Sequence, residues 1–224
     1  MHSNMTTSGS NTKSAEIIVK HVEEALKKTD NDQPSKLHPK IFEITGFSGQ
    51  KTKKFLNYLL EFPTKNANYL DIGSHQGSTF VSAMYKNEHI NGIAIDNYSE
   101  FGDHEAVFNR NAIEFLDSDC VEMINLDCLY VHPDRVRPID VFFYDGSTSC
   151  EIIGRVIVHF WSALNDVAVV LVDDWNWPHV REGAREGMAK SGANVLFSRE
   201  IVSEKDSDAE GYWNGLAVFV VKKN

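Results

Sequence analysis

Six carboxylates recur at one kind of place in this chain. Asp96, Asp127, Asp145 and the pair Asp173–Asp174 close short apolar runs, and Asp71 lies two residues before the end of another. The pair closes "VAVVLVDD" and is followed by "WNW". Two like charges at the mouth of a buried strand cost stability unless something neutralises them. Strand-end aspartates also cap helices and bond loop amides, and one of the pair could cap a helix opening near Trp177–Pro178. "YLDIGSHQGST" (69–79) has the form acidic-x-Gly-x-x-x-Gly ahead of a helical stretch. Glycine there lets the backbone turn sharply and approach a ligand closer than a Cβ would allow. The spacing is not Gly-x-Gly-x-x-Gly, which counts against a nicotinamide-dependent oxidoreductase. Asp96 ends the next apolar run, where a carboxylate can accept both hydroxyls of a ribose. Loop and Asp96 together point to an adenosine-containing cofactor.

These residues need elements that bring them to one edge. Short apolar segments at 68–73, 92–97, 121–127, 139–146 and 167–174 read as strands. "GSTFVSAMYKN", "DHEAVFNRNAIEFL" and "CEIIGRVIVHFWSALN" read as helices, the last with Ile152, Val156, Ile157, Phe160, Trp161 and Leu164 on one stripe. Continuously apolar strands alternating with helices indicate a parallel sheet covered on both faces. The last two strands, "NVLFSREIV" and "YWNGLAVFVVKK", have only "SEKDSDAEG" between them and must pair antiparallel. The expected fold is α/β: a Rossmann-like, doubly wound, seven-stranded sheet, mostly parallel with an antiparallel last strand. In such a sheet the strand ends share one edge, where ligands bind near the topological switch point. Ahead of it, residues 1–13 are polar and expected to be disordered, and 14–66 form a helical segment before a domain at 67–224. Ser14 is the expected N-cap of a helix over 14–28, and Pro63 ends a second helix.

Net charge is −10. Residues 1–66 contribute +3 and residues 67–224 contribute −13, which disfavours a nucleic-acid partner. No apolar run has transmembrane length, so no membrane partner is expected. Three cysteines without a Cys-x-x-Cys spacing argue for reduced thiols and a cytoplasmic location.

The order "LDIGSHQG", "AIDN", "NLDC", "FFYDG" and "LVDDW" resembles the successive motifs of class I S-adenosylmethionine-dependent methyltransferases. The likeness covers about residues 67–224. It is closest in character to small-molecule O-methyltransferases of sugar and natural-product type that depend on metal. The segment "GFSGQKTKKFLNYLL" also resembles the lead-in found in that group.

The resemblance implies that Asp71, Gly73 and Gly77, with the backbone from Ser74 through His75 to Ser78, cradle the methionine portion of the cofactor. It implies that Asp96 holds the ribose, that Asn97 or Tyr98 flanks the adenine, and that Asp127 and Cys128 bound its far end. Asp145 borders the same site. Asp145, Asp173 and Asp174 match the positions that hold a divalent metal in metal-dependent relatives. Hard oxygen ligands favour Mg²⁺ over zinc, and Mg²⁺ would lower the pKa of an acceptor hydroxyl.

One departure concerns the general base, often an Asp, Lys or His soon after Asp145-Gly146. This chain has Ser147-Thr148-Ser149. His179 and His75 are the candidate bases, with Asp145 the third catalytic candidate. His104 and His159 fall on expected helices and are set aside.

Trp175, Trp177, Tyr98 and Phe101 could wall an acceptor pocket or be core residues. The acidic loop "SEKDSDAEG" could reach over the site or simply be solvated. The expected function is methyl transfer from S-adenosylmethionine, Mg²⁺-assisted, to a small hydroxylated acceptor such as a sugar. The alternative is an inert cofactor-binding module acting through association. A homodimer through the basic N-terminal helices, or those helices covering the acidic site, are both open.

Overall fold

The computed structural model describes residues 7–102 and 104–224, with side chains from Ser14 onward. Seven strands form one sheet: β1 (Asn68–Ile72), β2 (Asn91–Asp96), β3 (Val121–Asn125), β4 (Ile139–Tyr144), β5 (Leu164–Asp173), β6 (Asn194–Ile201) and β7 (Leu216–Lys222). Their order is β3-β2-β1-β4-β5-β7-β6. β1 pairs parallel with β2 on one side and β4 on the other, so the switch point lies between β1 and β4. β7 runs antiparallel to both β5 and β6. This is the doubly wound sheet with a reversed last strand that the sequence pattern implies.

Every residue of β4 is buried. Successive side chains point to opposite faces, and both faces are covered, so the strand is apolar throughout. Val141 and Phe143 join one core with Tyr69, Phe80 and Val218, while Phe142 and Tyr144 join the other with Ile153, Val170 and Phe219. Helices α3 (Gln50–Leu59), α4 (Ser78–Met84) and α5 (Glu105–Phe115) supply the first face, and α6 (Cys150–Phe160) with α7 (Pro178–Lys190) the second. α6 and α7 approach so closely that a Cβ on Gly183 would sit 2.3 Å from the Cys150 carbonyl oxygen.

The first N-terminal helix and α3 join the first core. In α1 (Thr7–Asp30) Ile18, Val22, Ala25 and Leu26 are buried at helical spacing. Ser14 lies inside α1, because the helix starts at Thr7, ahead of the expected cap; residues 1–6 lie outside the described residues. A short helix, α2 (Pro39–Phe42), lies between α1 and α3, with Ile41 in a small cluster beside Leu37, Ile44 and Val81. α3 stops at Leu59, short of Pro63: Leu60 has already left the helix at φ −80°, ψ 3°, so the proline, which restricts Phe62, does not set this end. Leu164 opens β5 instead of continuing the α6 stripe. After Phe160 the chain tightens into a 3₁₀ turn, Trp161–Ala163, and Leu164 pairs with Ile139.

Candidate functional site

The β1–α4 loop is built around close backbone approach. Gly73 has φ 91°, and a Cβ there would lie 2.1 Å from the Asp145 carbonyl oxygen. Asp145 N in turn donates to Ile72 O at 2.8 Å, locking the ends of β1 and β4 together. The His75 backbone N–H donates to Asp96 Oδ2 at 2.8 Å, and the Tyr98 N–H to Asp96 Oδ1 at 2.7 Å. Asp96 therefore braces two loops, and each of its oxygens keeps a lone pair for a further donor.

Between these strand ends lies a pocket of about 360 Å³, within the range of small-molecule sites. Gly73, Ser74, His75 and Ser78 line it from the first loop, Asp96 and Asn97 from the second, Asp127 and Cys128 from the third, and Asp145 from the fourth. Burial, with the Asp127 charge second, pushes the Cys128 thiol up to about 12, so it stays protonated.

Three residues expected at the cofactor lie behind this lining. Gly77 is buried against Phe108 and Val81. Tyr98 turns inward with φ 50°, leaving Asn97 alone of the two on the pocket wall. Asp71 has no exposed surface; its Oδ2 accepts from Tyr69 Oη at 2.7 Å and from Thr79 Oγ1 at 3.4 Å, and its Oδ1 has no partner. Burial raises its carboxyl to about 7.

Asp145, Asp173 and Asp174 line a smaller cavity of about 10 Å³ that also shares Tyr144 and Ser147 with the main pocket. That volume holds one water-sized species. Both oxygens of Asp173 are buried without a hydrogen-bond partner. Burial, then the neighbouring carboxylates, pushes the Asp145 and Asp173 carboxyls well above the usual range. Asp174, on the same cavity, has a hydrogen-bond partner of its own. Its backbone is left-handed (φ 58°), and its Oδ1 accepts from Asn214 Nδ2 at 2.8 Å. Among the described residues no three acidic, His or Cys side chains converge as a metal-ligand group. Asp145, Asp173 and Asp174 border one small cavity without forming the three-ligand group expected for Mg²⁺.

Of the candidate bases, His179 is exposed on the first turn of α7, stacked on Trp177 at 5.9 Å, and does not line the pocket. His75 does line it. Neither of its ring nitrogens has a partner, and burial with the neighbouring His104 lowers its proton affinity. Of the four aromatics expected as an acceptor wall, Trp175 is a core residue with no exposed surface, packed on Phe219 with its indole N–H on Glu200. Trp177 sits off the pocket, its indole N–H reaching Asp206 at 3.4 Å. Phe101 alone stands on the wall. The acidic loop is docked: Gln50 N donates to Ala209 O, Lys51 N to Gly211 O, and Asn176 Nδ2 to Asp206.

No protein-family profile matches the chain, and no curated protein does. Solved structures do. An O-methyltransferase from Bacillus cereus, in complex with S-adenosylhomocysteine, aligns with TM-score 0.59 at 17% identity over 91% of each chain. A candidate RNA methyltransferase from Pyrococcus horikoshii aligns with TM-score 0.57 at 12% identity, over 90% of this chain and 96% of that one. A candidate S-adenosylmethionine-dependent methyltransferase from Streptococcus mutans aligns with TM-score 0.54 at 13% identity, over 77% of this chain, which spans only 48% of that protein. The chain has the class I methyltransferase fold.

On this methyltransferase scaffold the pocket takes residues that sequence reasoning passed over. Phe47, from the "GFSG" break ahead of α3, and Ser99 and Glu100, beyond Asp96, all line it. So does Tyr144, whose hydroxyl donates to Ser147 O at 2.7 Å. An aromatic flanked by small residues in a loop was the one available signal for Phe47.

Proposed function

We propose that the protein transfers a methyl group from S-adenosylmethionine to a hydroxyl of a small acceptor such as a sugar. The observation that carries this is the pocket at the β1–β4 switch point, with a glycine turn on one side and the loop-bracing Asp96 on the other. S-adenosylmethionine supplies, when bound, a sulfonium methyl open to in-line attack. Gly73 and the backbone from Ser74 to Ser78 would hold its methionine end, Asp96 its ribose, and Asn97, Asp127 and Cys128 its adenine. Asp145 would receive the acceptor's hydroxyl proton as the oxygen attacks the methyl carbon and the carbon–sulfur bond breaks.

A divalent cation such as Mg²⁺ is a second reading of the Asp145–Asp173 pair, favoured by the two unpartnered Asp173 oxygens. Held there, it would lower the pKa of an acceptor hydroxyl. An inert cofactor-binding module is the alternative outside enzymology, motivated by Ser147–Ser149 where relatives carry a base.

The test is a calorimetric titration with S-adenosylhomocysteine, repeated with Mg²⁺ and with chelator, on wild type and Asp96→Ala. The expected result is binding to wild type, weakened about ten-fold or more in the variant. No binding in any condition removes the methyltransferase reading. A Mg²⁺-specific heat abolished by Asp173→Asn would establish the cation, and binding without methyl transfer to any hydroxylated acceptor would favour the inert module.

A further inference from the structure

The β6–β7 loop runs from the small carboxylate cavity to the first turn of α3, and almost nothing apolar holds it there. Ile201 and Tyr212 anchor its two ends in the first core. Among the described residues, none from Val202 to Gly211 joins a hydrophobic cluster. Glu204, Lys205, Asp206, Ser207, Ala209 and Glu210 are exposed. Polar bonds fix the loop instead. Beside the cavity, Asn176 Nδ2 donates to Asp206 Oδ1 and Asn214 Nδ2 to Asp174 Oδ1, both at 2.8 Å. At α3, Gln50 N donates to Ala209 O at 2.7 Å and Lys51 N to Gly211 O at 2.9 Å. Gln50 Nε2 adds a bond to Glu210 Oε1 at 3.0 Å. A segment held by exposed polar bonds without apolar burial opens at far lower cost than the core beside it.

The contacts at α3 form a latch. Gly49, the N-cap, has no side chain to bond the first turn, so carbonyls of the loop take its orphan N–H groups. The approach is close: a Cβ on Gly49 would lie 2.1 Å from Gly211 O and 2.7 Å from Asp208 O. Just ahead of the latch, Gly46 and Phe47 form part of the pocket wall. Trp213, just past the strap, has its ring 6.4 Å from that of Phe47. One loop thus braces the Asp174 side of the site and the wall opposite.

We propose that residues 202–211 are a strap that latches onto α3, holds the Gly46–Phe47 wall in place, and must release for ligands to enter or leave the pocket. This gate rests on the methyltransferase reading and adds a control to it.

Two variants open the latch without altering a pocket or strap residue. Gly49→Ala sets a methyl against the Gly211 and Asp208 carbonyls, although the Gly49 backbone (φ −82°, ψ 164°) suits alanine. Gln50→Pro removes the N–H bonded to Ala209 and the side chain bonded to Glu210, at a first helical position where proline is favoured.

The test joins surface plasmon resonance of S-adenosylhomocysteine on the full chain to residue-level hydrogen exchange. In wild type the Lys51 amide, whose partner is on the strap, should exchange at least about ten-fold faster than Val218 in β7. In both variants the association and dissociation rates should rise together, about five-fold, while Kd moves less than about two-fold. A Lys51 amide as protected as Val218 overturns the strap. So do unchanged rates in both variants, with or without a lower Tm, which would make the loop a structural brace. Faster dissociation alone would make it a binding contact and overturn the gate. A wild type that binds no S-adenosylhomocysteine removes the methyltransferase reading, and the gate with it.

Discussion

Asp71 sits in the first strand with one oxygen bonded and the other bonded to nothing, behind a loop that is polar on its pocket side. Its carboxyl, raised to about 7 by burial, binds a proton more tightly in the folded chain than in the unfolded one. The stability it contributes is fully present below the unfolded value, is lost as pH climbs toward 7, and is gone above it. Across that window the loss amounts to roughly 4 kcal/mol for about three pKa units. Asp71→Asn should flatten this part of the stability–pH curve, measured by urea denaturation at a series of pH values; an unchanged slope would place the titration elsewhere. A positive cofactor nearby would favour the ionised form, so the gain in Tm on adding S-adenosylmethionine should be smaller in the variant. At this scale the sequence was informative about residue type and poor about direction. Asp71, Asp96 and Asp145 were legible from strand ends, but Tyr98 and Trp175 face inward, and only the packing of their neighbours decides that.

Two elements carry their own predictions. α6 and α7 cross on Gly154, Gly183 and Gly187, where added Cβ atoms meet opposing backbone. Gly183→Ala would press on the Cys150 carbonyl and force the helices apart, a loss of about 1–3 kcal/mol visible as a lower urea midpoint. Lys53 of α3 is buried, and its ammonium donates to the carbonyls of Ile41 and Phe42 in the last turn of α2 and of Ile44 just beyond it, at 3.5, 3.2 and 3.4 Å. Desolvation lowers its pKa to about 8. Between that value and the unfolded one the unfolded chain binds more protons, so stability should rise with pH through this alkaline window. Lys53→Met should remove the rise; its persistence would point to another group. The strands and most helices were readable because their apolar periods are strong. α2 and the true end of α3 were not, because one turn of helix has no period and Leu60 leaves the helix by local geometry alone.

For the whole molecule, charge and the shared core matter most. α1 and α3 bury their apolar faces in the same cluster as β1, β4, β5 and β7. Deleting residues 1–34 should therefore expose the sheet and abolish cooperative unfolding, as followed by near-UV circular dichroism. A deletion chain that still melted cooperatively would make the N-terminal segment an accessory. The sequence by itself determined the sheet, its reversed last strand and the strand ends that carry carboxylates, because burial on two faces and the period of side chains are local and repeated. Only the tertiary structure decided which of those carboxylates share a cavity, that Asn214 bonds one oxygen of Asp174, and that Phe47, His75, Phe101 and Trp213 meet. Those outcomes depend on loop backbone turning through left-handed conformations and on contacts between residues up to 166 positions apart. Periodicity does not encode such contacts.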